Sequence, residues 1–178
     1  GDGSLSGGEA LEGLNVAGSE INSNLIIIVN DNEQSIAEVH GGMYKNLAEL
    51  RETGGTASNN LFKAFGLDYI YEENGNDIAS LISLFRKVKD TDHPIVVHIH
   101  TQKGKGYEIA EKDKEGWHWC MPFDRETGKP TISFGDGEDY TSITAEYIMQ
   151  KAKSDSEFLV ITPAMPGSAG SVSYTHLT

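Results

Sequence analysis

Asp2, held between Gly1 and Gly3, and Asn32, which closes the run Asn30-Asp31-Asn32, are the side chains whose types and spacing point most directly to chemistry. One offers a carboxylate and the other an amide oxygen, both hard ligands. The 29 residues between them match one strand-helix-strand unit. Such a unit sets the tips of two parallel strands side by side, so the two oxygens would meet beside a helix N-terminus. Mg²⁺ takes near-octahedral oxygen coordination, combining few protein ligands with phosphate oxygens and water. The pair therefore reads as a site for a divalent cation carrying a diphosphate. A main-chain carbonyl just past Asn32 would complete the protein's share, and the glycines let the backbone turn sharply and approach closely. The plainer alternative is a strand-end turn followed by a capped helix.

Other candidates are less specific. Lys103-Gly104-Lys105-Gly106-Tyr107 suits a loop near anions, or a solvated basic turn. It is no Walker loop, because GxxxxGK followed by Ser or Thr does not occur. His118, between Trp117 and Cys120's neighbour Trp119, is able to donate a hydrogen bond or shuttle a proton, or is simply stacked. His98 and His100 alternate with Val97 and Ile99, so they share one face of a strand, as metal ligands or as hydrogen-bonded structural residues. His40 precedes Gly41-Gly42 and has no assigned role. Cys120 has no neighbouring base to activate it.

The elements that must position these residues are legible from periodicity. Residues 4–17 read as a helix capped by Ser4 or Ser6, with Ser6 and Glu9 spaced as in a capping box and Gly18 as the stop. Residues 25–29 form a continuous β-branched run, a strand covered on both faces. Helical stretches follow at 44–51 and 59–65, then a strand at 68–72. Asn76 or Asp77 caps an amphipathic helix with Ile78, Leu81, Ile82, Phe85 and Val88 on one stripe. Residues 95–101 are the next strand. Alternation of this kind predicts an α/β fold, a parallel sheet with helices on both faces. Ligands then collect at the carboxyl ends of the strands, where the Asn32, 72–75 and 101–107 segments fall.

Residues 1–110 are expected to form a diphosphate- and Mg-binding α/β domain. Residues 111–140 read as a linker or excursion, since 30 irregular residues are unusual inside a compact domain. A helix at 141–153 and a strand at 157–162 would begin a second domain, spanning 141–170.

The bulk numbers narrow the class. A net charge of −13 disfavours a nucleic-acid or anionic-membrane surface. It leaves room for a phosphorylated cofactor, because a bound metal inverts the local sign. A single cysteine allows no internal disulfide and fits a reducing, cytoplasmic setting. The longest apolar run, residues 25–29, is too short to span a bilayer. The chain lacks an initiator Met and starts inside a motif, so it is read as a fragment truncated at both ends.

The Gly-Asp-Gly and Asn32 motifs resemble the thiamine-diphosphate enzymes. Within them, the chain is similar to the transketolase-like 1-deoxy-D-xylulose-5-phosphate synthase family, through GDGSLSGGEALEGLN, NLIIIVNDNEQSI, HTQKGKGYEIAEKDK and LVITPAM. The resemblance covers residues 1 to about 170 and implies thiamine diphosphate and Mg²⁺ as cofactors. By it, Asp2 and Asn32 hold Mg²⁺, with Gln34 giving its backbone carbonyl. Gly3, Ser4, Asn32 and Tyr107 contact the cofactor, and His118 lines the substrate channel as the catalytic candidate. The implied reaction condenses pyruvate with D-glyceraldehyde 3-phosphate, with loss of carbon dioxide, to 1-deoxy-D-xylulose 5-phosphate. That product feeds isoprenoid, thiamine and pyridoxal synthesis. The implied assembly is a homodimer with no nucleic-acid or membrane partner.

In this family the glutamate that activates the aminopyrimidine lies in the second domain, so the 178-residue chain alone is expected to be inactive. Transketolase, another carboligase of the class, or a non-catalytic split cofactor module share the metal motif and stay as alternatives. A Rossmann domain fits less well, since Gly7 breaks the GxGxxG spacing. Residues 171–178 depart from the family and read as a non-native, adaptor-derived tail, so His176 carries no assigned role.

Overall fold

The computed structural model describes residues 1–132, 137–162, 165–167 and 169–175. Pro163 and Ala164 of the LVITPAM segment, and residues 176–178 of the expected tail, lie outside the described residues. The chain forms two compact units, Gly1–Trp117 and His118–Thr178.

In the first unit, three strands form a wholly parallel sheet in the order β1-β3-β2. They are β1 (Ile26–Asp31), β2 (Asp68–Glu72) and β3 (Ile95–His100). With β3 in the centre, Val29 pairs with His98, Asp31 with His100, and Tyr71 with His98. All three carboxyl ends share one edge, as the alternation of elements predicts.

Helices cover both faces. Successive side chains on a strand point to opposite sides, so Val96 and Val97 belong to different cores. Val96 and Val29 pack with α1 (Gly8–Ser19), α2 (Gly42–Glu52) and α3 (Leu61–Ala64), around Leu14, Leu47, Leu50 and Phe62. Phe62 is fully buried and stacks on Tyr69 with centroids 5.7 Å apart. Burying such a ring contributes about 2–3 kcal/mol. Val97 and Ile99 pack against α4 (Ile78–Val88) through Leu84 and Val88, flanked by Leu81 and Phe85.

The predicted stripe on α4 is corrected in part. Ile78 is 74% exposed and Ile82 47% exposed, so the buried arc is centred on Leu81, Leu84, Phe85 and Val88 instead. The cap is as expected, with the Asp77 carboxylate accepting from the Ser80 N–H at 2.7 Å. Asn60 caps α3 by accepting from the Phe62 and Lys63 N–H groups.

The predicted 4–17 helix is also divided. Asp2–Ser6 form a 3₁₀ turn, Gly7 is extended, and only then does α1 begin. The Ser6–Glu9 capping box does not form; Ser6 Oγ donates to the Gly3 carbonyl instead. At the far end, α1 crosses the α3–β2 turn so closely that a Cβ on Gly18 would lie 1.8 Å from the Phe65 carbonyl oxygen.

A short helix α5 (Glu108–Lys112) follows β3, N-capped by Tyr107. In the second unit, α6 (Tyr140–Ser154) begins with a capping box between Asp139 and Ser142 and packs with α7 (Val172–Thr175). The Tyr174 hydroxyl donates to the Phe158 carbonyl at 2.6 Å. The strand predicted at 157–162 is not formed among the described residues, where residues 158–162 are irregular. Strand propensity has no effect without a neighbouring strand to supply the ladder. No helix among the described residues is long and apolar enough to cross a membrane.

Candidate diphosphate and metal site

The first turn places Asp2 beneath the carboxyl end of β1. Asp2 is 1% exposed, and its Oδ2 has no hydrogen-bond partner. Burial and the neighbouring Asp31 charge push its pKa above the ordinary carboxylate value; backbone N–H groups, Asn32's among them, oppose that rise without cancelling it. A buried carboxylate oxygen left bare in this way costs free energy until a proton, a water or a cation answers it. The main chain of Gly3 fits against the next loop, where a Cβ would come 3.1 Å from Ser35 Cα. Tyr44 fastens the turn from the other side, its hydroxyl donating to the Asp2 carbonyl at 3.2 Å.

Asn32 is the first residue past β1. Its Oδ1 accepts the Gln34 N–H at 3.1 Å, which leaves a second lone pair on that oxygen. The loop then folds back on itself through Ser35 N–H to the Ala37 carbonyl at 2.9 Å. Asp2, Gly3, Asn32 and Gln34 thus fall in one neighbourhood, with Ser4 on the same 3₁₀ turn. Among the described residues no three His, Cys, Asp or Glu side chains gather as a metal centre. The groups here are of another kind: a carboxylate, an amide and main-chain oxygens, the types that hard cations take.

The loop after β3 adds a cation. Lys103 Nζ donates to the Ser35 carbonyl at 2.9 Å and reaches the Ile36 carbonyl at 3.5 Å. Desolvation lowers its pKa, and the charges of Asp2 and Glu115 work against that lowering. Tyr107, four residues on, meets Trp117 edge to face at 5.0 Å. His118 belongs to the second unit. His40 lines a cleft of about 590 Å³ with Glu33, Tyr44, Lys45 and Arg51.

Behind the loop runs a buried polar chain that the sequence does not announce. Tyr69 Oη lies 2.7 Å from His98 Nδ1, and His98 Nε2 lies 2.9 Å from Asp31 Oδ2. Arg51 joins the same carboxylate oxygen at 2.5 Å. Burial pushes the Asp31 pKa up, but the hydrogen bonds and charges of His98 and Arg51 together outweigh it and hold it at about 2. Burial likewise raises Tyr71 to about 12. His98 and His100 are therefore hydrogen-bonded partners of acids, not a metal pair. No local pattern links Arg51 to Asp31, and Lys103 alone was visible, as part of a glycine-rich basic loop.

Comparison with known proteins identifies the family. The family model for 1-deoxy-D-xylulose-5-phosphate synthase matches residues 1–59 and 52–101. A 1-deoxy-D-xylulose-5-phosphate synthase 1 of Geobacter metallireducens is 35% identical over 206 residues, covering 96% of this chain and 33% of the relative. The synthase of Listeria monocytogenes serotype 4b is 36% identical, covering 93% of this chain and 28% of the relative. That of Yersinia pseudotuberculosis is 33% identical, covering 98% and 33% respectively. The chain spans about a third of the length of the curated relatives it matches.

Proposed function

Because this chain belongs to the 1-deoxy-D-xylulose-5-phosphate synthase family, we propose that it is the cofactor-anchoring part of such a synthase. The protein would condense pyruvate with D-glyceraldehyde 3-phosphate to 1-deoxy-D-xylulose 5-phosphate. It would act in the cytoplasm as a homodimer. Residues 1–110 hold the diphosphate, and residues 141–170 begin the pyrimidine-binding domain. The observation that carries the reading is the buried Asp2 carboxylate, whose Oδ2 lacks any partner beside the Asn32 main chain.

Bound thiamine diphosphate supplies an electron sink for decarboxylating a 2-oxo acid and joining the remaining two carbons to an aldehyde. The residues of this chain would anchor and aim it. Asp2 would supply Mg²⁺ with a negatively charged oxygen, Asn32 with a neutral one and Gln34 with its backbone carbonyl. Gly3 and Ser4 would offer main chain to the diphosphate, where a Cβ at Gly3 would sit tightly, 3.1 Å from Ser35. Tyr107 would pack against the cofactor, and His118 would donate a hydrogen bond to the substrate. Lys103 adds positive charge on the same side as Asp2.

The test is Mg²⁺-dependent thiamine-diphosphate binding by the full-length protein, in wild type and in Asp2→Ala and Asn32→Ala. Both variants should lose the Mg²⁺ dependence; unchanged binding in both removes the assignment. Release of labelled carbon dioxide from pyruvate separates the synthase from a transketolase, which uses ketose donors.

A further inference from the structure

Among the described residues, Glu33 is the non-glycine residue in the left-handed region, with φ at 65°. That conformation costs free energy for any residue bearing a Cβ and persists only where surroundings over-determine it. The surroundings here are specific. His100 Nε2 lies 3.0 Å from Glu33 Oε1, and an Arg51 guanidinium nitrogen lies 3.4 Å from Oε2. The other terminal nitrogen of Arg51 reaches Asp31 Oδ2. One guanidinium, on the last turn of α2, therefore grips the residues on both sides of Asn32. The main chain closes the arrangement, since the Glu33 N–H donates to Asp31 Oδ1 at 3.1 Å.

We propose that Arg51 and Glu33 are positioning residues for the metal site: the guanidinium clamp on Asp31 and Glu33, backed by His100, fixes the strained turn that aims Asn32 and the Gln34 carbonyl. This rests on reading Asp2 and Asn32 as metal ligands. Neither residue of the clamp touches the ion. Each acts by holding the peptide units around Asn32 in one orientation, as outer partners of metal ligands do. A lysine at 51 cannot replace the arginine, because a single ammonium does not span two carboxylates as a planar fork does.

The test uses the full-length protein in four variants: Glu33→Ala, Glu33→Gln, Arg51→Lys and Asp2→Ala. Two quantities are read. One is the Mg²⁺ concentration for half-maximal thiamine-diphosphate binding, by titration calorimetry. The other is the melting temperature in EDTA. Glu33→Ala and Arg51→Lys should raise the Mg²⁺ half-saturation about tenfold or more. Glu33→Gln should raise it less, since its amide oxygen still accepts from one partner. The melting temperature of Glu33→Ala in EDTA should stay at the wild-type value. An unchanged half-saturation in Glu33→Ala, with Mg²⁺ dependence lost in Asp2→Ala, overturns the clamp and leaves the metal reading standing. Weakening that merely follows a fall in melting temperature also overturns it. Unchanged Mg²⁺ dependence in Asp2→Ala overturns the metal reading and the clamp with it.

Discussion

Replacing Asp2 by asparagine should make the metal-free protein more stable and deprive it of the stability that metal and cofactor add. The carboxylate is 1% exposed, its Oδ2 is unpartnered, and burial with the Asp31 charge raises its pKa. Asparagine keeps the shape and one carbonyl oxygen while removing the charge. A buried polar atom without a partner costs about 1–3 kcal/mol. The new amide has its own N–H groups to satisfy, so the expected gain is at the low end, about 1 kcal/mol. With Mg²⁺ and thiamine diphosphate at a hundredfold excess over Kd, wild type should gain about 2.7 kcal/mol by mass action. Asp2→Asn should gain none of it. The sign with pH follows from the raised pKa. The ionised group is disfavoured in the folded state, so its penalty is present above the folded pKa. The penalty fades as pH falls from the folded pKa toward the unfolded value of 3.8 and is gone below it. The advantage of the variant in EDTA should therefore shrink on acidification. Thermal melts of the full-length protein by circular dichroism, in EDTA and in saturating Mg²⁺ with cofactor, read both effects. A variant that melts below wild type in EDTA at neutral pH, or gains as much from the ligands, refutes the reasoning.

Two further expectations concern stability. Gly18→Ala sets a Cβ 1.8 Å from the Phe65 carbonyl oxygen and 2.7 Å from its carbon, both backbone atoms that cannot rotate aside; the urea midpoint should fall by the equivalent of about 3 kcal/mol. Asp31, held at about 2 against an ordinary 3.8, contributes stability that is fully present above 3.8 and is lost as pH falls through about 2. Urea midpoints in EDTA over that window should decline for wild type by the equivalent of about 2 kcal/mol, and that decline should flatten in Asp31→Asn.

The sheet was legible because β1 and β3 are β-branched runs separated by helical periods, and the more polar β2 falls on residues 68–72 as the sequence indicates. The Asp77 cap was legible because it is local. What escaped was set by tertiary contact. Five apolar residues defined an arc on α4, but only the sheet decides which edge of the arc is covered, and it chose Leu84 over Ile78. The break at Gly7 arises because the 3₁₀ turn must tuck Asp2 under β1, which outweighs helix propensity at residues 4–6. At the site, Asp2 and Asn32 were visible as a spaced pair, and Lys103 within a basic loop. Arg51 and Tyr69 were not, nor was the acid that His98 meets. Arg51 and His98 reach Asp31 across separations of 20 and 67 residues, Tyr69 joins through His98, and an ordinary arginine near a helix end carries no mark of what it will meet.

The β1–β3 pairing sets Val29 against His98 and Asp31 against His100, with Val29 and Asp31 both on the buried side. Strand β1 therefore works as a ruler whose length is measured from the core to the cofactor loop. One residue added or removed inside it would turn the Asp31 carboxylate toward the opposite layer and present Asn30 or Asn32 in its place, since side chains alternate by one. The turns at 53–59 and 89–93 face no such restriction. Length variation among working versions of this protein should accumulate there, and β1 should change its letters without ever changing their number.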